Sequence, residues 1–242
     1  MAPSITIASA PPRISARDAK LATVIVGSDE VSFTVHEQLL TFYSPFFRAA
    51  LKGGFAEATR GEVRLKDVNE ETFELFVHWL YHQRFPNKTD DPEFLKLWYH
   101  LDSTTVDAGA LVDLHVFAEE YDVPNLKRQS IDSLFEQLND EDQGLPSTKA
   151  IRYAFDSLDH DSSLCRLLVD AHCEWGGHEG WETICEGEDF EPHPVFLKNA
   201  LKRYSQYIIA GLHGLGKTLV LCDYHDHKDV EERNTCVSKV AH

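Results

Sequence analysis

The pattern of hydrophobic and polar positions first predicts a β-hairpin followed by two short helices. Residues 21–27 (LATVIVG) form an apolar, β-branched run, and residues 31–36 (VSFTVH) alternate with a period of two. The intervening GSDE supplies turn residues, and two such runs joined by a short turn are typical of a hairpin. Leu39 and Leu40 then share one helical face. Pro45 is expected to end that helix and begin the next one.

The pattern next predicts a third strand and then a series of helices. Residues 62–68 (EVRLKDV) have strand character, and Asn69 is placed to cap the helix that follows. Apolar residues in NEETFELFVHWLYH recur at i, i+3, i+4 and i+7, which indicates an amphipathic helix. The same spacing predicts helices within residues 94–101, 109–123, 123–138, 147–158, 162–175 and 194–209.

Segments without a sustained period separate or flank these elements. Residues 1–19 are rich in Ala, Ser and Pro and predict a flexible tail. Residues 83–92 and 176–194 have loop composition, and residues 140–147 form a polar link. Residues 211–242 combine a glycine-rich loop with a polar tail that carries Cys and His.

The overall composition favours a folded protein with protein partners. Hydrophobic residues make up 43% of the 242 residues, which is enough to bury a core. The formal net charge of −17 argues against nucleic-acid binding, because that needs a cationic face to displace counterions. An acidic surface instead favours basic partner surfaces.

Cysteine use and hydropathy predict the compartment. The first residues lack the basic start and apolar run of a secretory signal, and no stretch approaches the length of an apolar membrane span. The sequence therefore predicts a protein of the cytoplasm or nucleus that does not insert into a membrane. Disulfides are disfavoured in those compartments. The five cysteines are then core residues, metal ligands or redox thiols; they are Cys165, Cys173, Cys185, Cys222 and Cys236.

Residues 21–138 resemble the BTB/POZ domain. The stretch VIVGSDEVSFTVHEQLLTFYSPFFRAAL is similar to its strand–strand–helix core, and GGFAEATRGEVRLKDVNEETFELFVHWLY to its third strand and next helix. LHVFAEEYDVPNLKRQSID resembles its closing helix pair. The resemblance, which extends to fungal-type BTB proteins, implies an α+β BTB/POZ fold: a small mixed sheet with a helical cluster. We expect this domain over residues 20–139 and a mostly α-helical extension over residues 147–210.

The resemblance implies a protein–protein interaction module and not an enzyme. Such modules self-associate, act as adaptors in cullin-RING ubiquitin ligases or recruit transcriptional partners. Cullin-binding members often carry hydrophobic-x-Glu after the second helix, and Phe55, Ala56 and Glu57 match that pattern. These three residues are the predicted partner-binding site. In the structural alternative, Phe55 caps the core and Glu57 is solvated.

Two other roles of the family fit the sequence less well. Corepressor-binding members pair an Asp in the first strand with a basic residue in the first helix. In this sequence, Thr23 and Glu37 are expected at those two positions, so the pair is absent. Substrate receptors usually add a strand-rich recognition domain, and no such repeats follow residue 139. The remaining alternative to a cullin adaptor is a stand-alone oligomerisation module, such as a homodimer, with an unknown partner.

A phosphate-loop match provides a hypothesis from another class. GLHGLGKT (211–218) fits G-x-x-x-x-G-K-[ST], with Gly216, Lys217 and Thr218 as the nucleotide-binding residues. A working phosphate loop joins a strand to a helix. YIIA could supply the strand, but LVLCDYHDH after the loop predicts a second strand and a charged turn. We therefore expect the match to be a coincidence.

The C-terminal segment carries a candidate metal site. Cys222, His225, His227 and Cys236 give the pattern C-x₂-H-x-H-x₈-C, and two thiolates with two imidazoles can form a tetrahedral zinc site. Zinc is the one cofactor that the sequence indicates. The alternative is a solvated tail, to which the neighbouring acidic residues would contribute.

A cysteine–histidine catalytic dyad is a weaker candidate. His172 and Cys173 are adjacent in the sequence. Side chains of consecutive helical residues point in different directions, so we expect Cys173 to be a core thiol.

Overall fold

A computed structural model describes most of the chain. The described residues are 12–54, 60–98, 106–140, 144–176, 181, 184, 191–209 and 219–240. The chain divides into two compact units, one comprising Met1–Pro86 with Tyr121–Pro124 and the other Asn87–Glu120 with Asn125–His242. Among the described residues, no helix combines the length and the apolar character needed to cross a membrane.

The first unit contains a small mixed sheet. Its strands are β1 (Leu21–Val26), β2 (Val31–His36) and β3 (Glu62–Leu65), in the order β2-β1-β3. β1 pairs antiparallel with β2 and parallel with β3. The predicted hairpin is confirmed, and Gly27 begins its turn with a φ of 73°, a left-handed conformation that glycine adopts without strain. β3 ends three residues before the predicted end of the third strand, because the chain turns at Lys66.

Among the described residues of this unit, the helices with defined bounds are α1 (Glu37–Tyr43), α2 (Pro45–Lys52) and α3 (Glu70–His82). Pro45 occupies the first turn of α2, and the Asn69 side chain caps α3, as predicted. The alternating pattern of β1 directs Ala22, Val24 and Val26 into the core. Aromatic residues complete that core, with Phe33 of β2 against Phe73 of α3 at 4.9 Å between ring centroids.

The elements described in the second unit are helices, joined by loops. Its helices are α4 (Pro92–Trp98), α5 (Ala108–Glu120), α6 (Pro124–Leu138, whose first residue belongs to the first unit), α7 (Thr148–Ser157), α8 (Ser163–Trp175), α9 (Pro194–Ile209) and α10 (Val230–Val240), with a 3₁₀-helix at Leu221–Tyr224. The apolar faces of α7, α8 and α9 form one core, which includes Ile151, Phe155, Val169, Phe196 and Ala200. The predicted helical extension is therefore confirmed in the described residues.

The helix predicted over residues 194–209 is confirmed: Tyr207 continues the buried face of α9, so Tyr207–Ile209 cannot supply a strand before the glycine-rich loop. Two other expectations for the C-terminal half were wrong. The strand predicted from Leu219 is absent from the described residues, where Leu221–Tyr224 form a 3₁₀-helix. Trp181 and Ile184, placed in a loop by composition, have helical backbone and pack against the helical core.

A further helix was missed in the polar tail. α10 begins after Asp229, whose carboxylate accepts the backbone N–H of Glu232 at 2.8 Å. The Glu232 carboxylate in turn accepts the N–H of Lys228 at 2.9 Å. This reciprocal arrangement resembles a capping box. The Asp-x-x-Glu spacing was the available sequence signal, but few apolar residues follow it.

Candidate metal centre

The structure describes only one of the predicted sites completely. Phe55, Ala56 and Glu57 lie outside the described residues, as do residues 211–218 of the phosphate-loop match. The described chain on either side of that match is the end of α9 and the start of the 3₁₀-helix. This is not the strand–loop–helix arrangement that phosphate binding requires.

The four predicted metal ligands lie together; we refer to Cys222, His225, His227 and Cys236 as the Cys/His cluster. Cys222 lies in the 3₁₀-helix, Cys236 lies in α10, and the two histidines occupy the connection between them. Cys222 Sγ is 3.2 Å from His227 Nε2, and Cys236 Sγ is 3.1 Å from His225 Nδ1. One potential ligand atom from each of Cys222, His227 and Cys236 lies within 4.8 Å of the other two.

The cluster is largely shielded from solvent. Cys222 is 1% exposed, Cys236 is 6% exposed and His225 is 9% exposed. His227 is partly exposed, but its Nδ1 is buried and has no hydrogen-bond partner among the residues that the structure describes. An unpartnered buried nitrogen normally costs free energy. The other ring nitrogen, Nε2, is the one that lies beside Cys222 Sγ.

Helix α6 supplies three polar contacts to the cluster, one of which joins Arg128 Nη2 to His225 Nδ1 at 3.3 Å. His225 Nε2 lies 2.5 Å from Asp132 Oδ1, so the ring can donate to that carboxylate and present Nδ1 toward Cys236. Arg128 Nη2 donates to Cys236 Sγ at 3.0 Å. Sequence reasoning missed Arg128 and Asp132 because they lie 108 and 93 residues from their partners. No local pattern could have identified them.

Two further contacts fix the segment that carries the cluster. Lys127 of α6 forms an ion pair with Asp226 at 2.7 Å. Tyr224 of the 3₁₀-helix donates its hydroxyl to Asp170 of α8 at 2.8 Å. Since Tyr224 and Asp226 bracket His225, both sides of this histidine are tied to neighbouring helices.

The environment shifts the two thiols in opposite directions. Burial raises the pKa of Cys222, and its hydrogen bond with Cys236 raises it further. For Cys236, burial alone would raise the pKa, but the hydrogen bond from His225 and the nearby Arg128 charge lower it overall. Cys236 is therefore the thiol that is more readily deprotonated, as a metal ligand must be.

The histidine beside Cys236 also has a shifted pKa. Burial lowers the pKa of His225, but the hydrogen bonds with Asp132 and Cys236 and the charge of the Asp132 carboxylate together outweigh burial and raise the pKa overall. The carboxylate favours a proton on Nε2, which leaves Nδ1 as the nitrogen that can bind a metal. A histidine oriented by a carboxylate is typical of metal sites.

The sheet and the helices that follow it match a known protein family. The family model of the BTB/POZ domain matches residues 15–138, about half of the chain. The chain belongs to the BTB/POZ domain family. BTB/POZ domains are protein-interaction modules, and the predicted α+β fold of this family is confirmed.

Two curated relatives share this kind of domain. The chain is 30% identical over 76 residues to Kelch repeat and BTB domain-containing protein 12 of Danio rerio. It is 32% identical over 68 residues to Kelch repeat and BTB domain-containing protein 8 of Xenopus tropicalis. The matches cover 31% and 28% of this chain, but only 12% and 11% of the relatives. The similarity therefore concerns a small part of those proteins.

The family match places the Cys/His cluster outside the BTB/POZ domain but in contact with it. The match ends at residue 138, the last residue of α6. Arg128 and Asp132 therefore belong to the BTB/POZ domain, whereas the cluster belongs to the C-terminal extension. The candidate metal centre lies where the extension packs on the last helix of the domain.

The other described cysteines lack the environment of a nucleophile. Burial raises the pKa of Cys165 to about 11 and that of Cys173 to about 12. His172 Nδ1 bonds to the Leu168 carbonyl at 2.7 Å instead of a thiol. A nucleophilic cysteine must be a thiolate near neutral pH, so the pair His172 and Cys173 does not form a catalytic dyad.

Proposed function

We propose that this protein is an adaptor whose BTB/POZ domain binds the cullin scaffold of a ubiquitin ligase. The observation that carries the proposal is the BTB/POZ domain at residues 15–138, since the domains of this family are interaction modules. Within that domain, Phe55, Ala56 and Glu57 follow α2 and match the hydrophobic-x-Glu pattern of cullin-binding members.

A short aromatic and acidic motif suits such a partner. A Phe side chain can fill an apolar pocket on another protein, and a Glu at its edge can accept a hydrogen bond. The net charge of −17 favours a basic partner surface over another acidic one. In the sequence, the motif lies between the end of α2 at Lys52 and the start of β3 at Glu62.

The test is a pull-down of the full chain with a purified cullin N-terminal domain. Wild type is compared with Phe55→Ala/Glu57→Ala and with the matched control Leu201→Ala/Glu136→Ala. The control likewise removes one large apolar and one acidic side chain, here from α9 and α6, where Leu201 is 72% exposed and Glu136 is also exposed. We expect the motif variant to lose at least about 30-fold in affinity, as removal of a binding hot spot does. We expect the control to bind like wild type.

Folding and binding effects are separated by measuring each variant's thermal midpoint. On this proposal the Glu57 carboxylate binds the partner and not the folded chain, so Glu57→Ala alone should weaken binding without lowering the midpoint. If the wild type does not bind the cullin domain, the cullin proposal is wrong. Light scattering of the same sample then decides whether the domain self-associates, which is the alternative function.

A further inference from the structure

We propose that the Cys/His cluster binds one zinc ion, which fastens the C-terminal segment 219–240 to helix α6. This site is independent of the proposed cullin contact, because none of its residues belongs to the Phe55–Glu57 motif. Four properties of the cluster support zinc binding: the ligand types, the distances between ligand atoms, the partners of His225 and the surrounding charge.

The ligand atoms are spaced nearly as a zinc ion requires. Zn–S and Zn–N bonds of about 2.3 and 2.0–2.1 Å place tetrahedral ligand atoms about 3.4–3.8 Å apart. The distances Cys222 Sγ–His227 Nε2 and Cys236 Sγ–His225 Nδ1 are 3.2 and 3.1 Å. The triad of Cys222, His227 and Cys236 lies within 4.8 Å. His225 is not part of this triad, so its ring would have to move from its place beside Cys236 to complete a four-ligand site.

The ligand types select zinc over other common cations. Thiolate and imidazole are poor ligands for Ca²⁺ and Mg²⁺, which prefer oxygen. Two thiolates and two neutral imidazoles balance the charge of Zn²⁺, so the buried site would be neutral. Its burial would then avoid the free-energy cost of an isolated charge.

Partners in the BTB/POZ domain support a metal-binding geometry. Asp132 accepts from His225 Nε2, which leaves His225 Nδ1 beside the sulfur of Cys236. Arg128 donates to that sulfur and would stabilise a metal-bound thiolate.

The metal would have a route into the site and a clear structural effect. An open cleft is lined by Arg128, Asp132, Leu221, His225, Glu232, Thr235 and Cys236. Between His225 and Thr235, Val230 is the only apolar residue, and it is exposed. Metal binding can supply the free energy that orders this segment, since ligand binding to the folded state stabilises it.

The first test is elemental analysis of the full chain purified without chelator. We expect one zinc ion per chain in the wild type and in Cys173→Ala, a control that removes a buried thiol elsewhere. Cys222→Ser/Cys236→Ser should contain almost none. Asp132→Asn should retain the ligands but lower zinc affinity by about 10- to 100-fold, as loss of a carboxylate partner does.

A second measurement uses the wild type alone, so that misfolding of a variant does not affect the result. Co²⁺ added to the chelator-treated protein should give the intense visible bands of tetrahedral coordination and a thiolate-to-cobalt charge-transfer band. Zinc should abolish both, raise the thermal midpoint and slow tryptic cleavage after Arg233.

Three results would overturn the proposal. The first is a wild type that binds no zinc and gives only the weak spectrum of octahedral cobalt. The second is full zinc content in the double Cys variant. The third is a metal-free protein in which Cys222 and Cys236 are joined by a disulfide, which would make the pair a redox couple. None of these measurements depends on cullin binding.

Discussion

At the scale of single residues, His115 shows how a buried histidine can make stability depend on pH. Its side chain is 1% exposed in α5, and Nδ1 lies 3.1 Å from the Lys127 carbonyl of α6. Its Nε2 is buried without a hydrogen-bond partner among the described residues. Burial and the Lys127 charge lower the pKa of His115 from 6.5 to about 4.

We predict that His115 makes the protein less stable in mild acid. Between pH 6.5 and 4 the unfolded chain takes up a proton that the folded chain excludes, so stability is lost as the pH falls through this range. The expected loss from this residue is about 2 kcal/mol between pH 7 and pH 5. In urea unfolding at the two pH values, His115→Asn should show a loss smaller by this amount.

A neighbouring control separates titration from packing. Leu114→Ala removes a fully buried side chain without a titrating group, so it should lower stability equally at both pH values. An unchanged pH dependence in His115→Asn would show that the ring is protonated in the folded state, contrary to the expected pKa.

At the scale of elements, a few polar side chains fix where helices begin. Ser44 is fully buried between α1 and α2, and its hydroxyl accepts the N–H of Phe47 at 3.0 Å. The same hydroxyl donates to the Tyr121 carbonyl at 2.7 Å. Pro45 then supplies a backbone that is already suited to the first helical turn. Ser44 thus joins a local cap to a contact 77 residues away.

We predict that Ser44→Ala destabilises the protein by about 2–3 kcal/mol. The change removes a helix cap and leaves the buried Tyr121 carbonyl without this donor. Ser147→Ala is the matched control, because Ser147 caps α7 through one contact of 3.3 Å. Its expected cost is about 1 kcal/mol. Equal losses for the two variants in urea unfolding would contradict a second role for Ser44.

At the scale of the whole molecule, the BTB/POZ domain and the helical extension are not separate in structure. Phe135 of α6 contacts Trp175 of α8 and Tyr224 of the 3₁₀-helix, with ring centroids 6.4 and 6.0 Å apart. The last helix of the domain is therefore packed among elements of the extension. The predicted boundaries at residues 139 and 147 remain predictions, but this packing favours a supporting role for the extension.

The backbone on either side of residues 211–218 argues against a phosphate loop, and thus against a nucleotide-dependent enzyme. Neither described flank of residues 211–218 is a strand, and a four-residue 3₁₀-helix follows. We predict that ATP or GTP with Mg²⁺ will leave the thermal midpoint unchanged, because only a ligand that binds the folded state raises it. A rise that Lys217→Ala abolishes would instead establish a phosphate site.

The sequence by itself determined the elements whose residues repeat with a regular period. The hairpin, α1 to α3, and the apolar faces of α5 to α9 follow from local spacing, because side-chain direction repeats every two residues in a strand and every 3.6 in a helix. Pro45 and Asn69 also mark helix starts through local contacts. The four candidate metal ligands were also predicted from the sequence, because the residue types Cys and His themselves indicate ligand chemistry.

Only the tertiary structure decided what surrounds those residues. The burial of the Cys/His cluster, the contacts of Arg128 and Asp132, and the second contact of Ser44 join residues far apart in the chain. Periodicity carries no information about such pairs. α10 was missed for a related reason: its sequence is polar, and the contact of Cys236 with α6 cannot be read from that sequence. Local physics set the elements, whereas long-range packing placed two thiols and two imidazoles in one buried cluster.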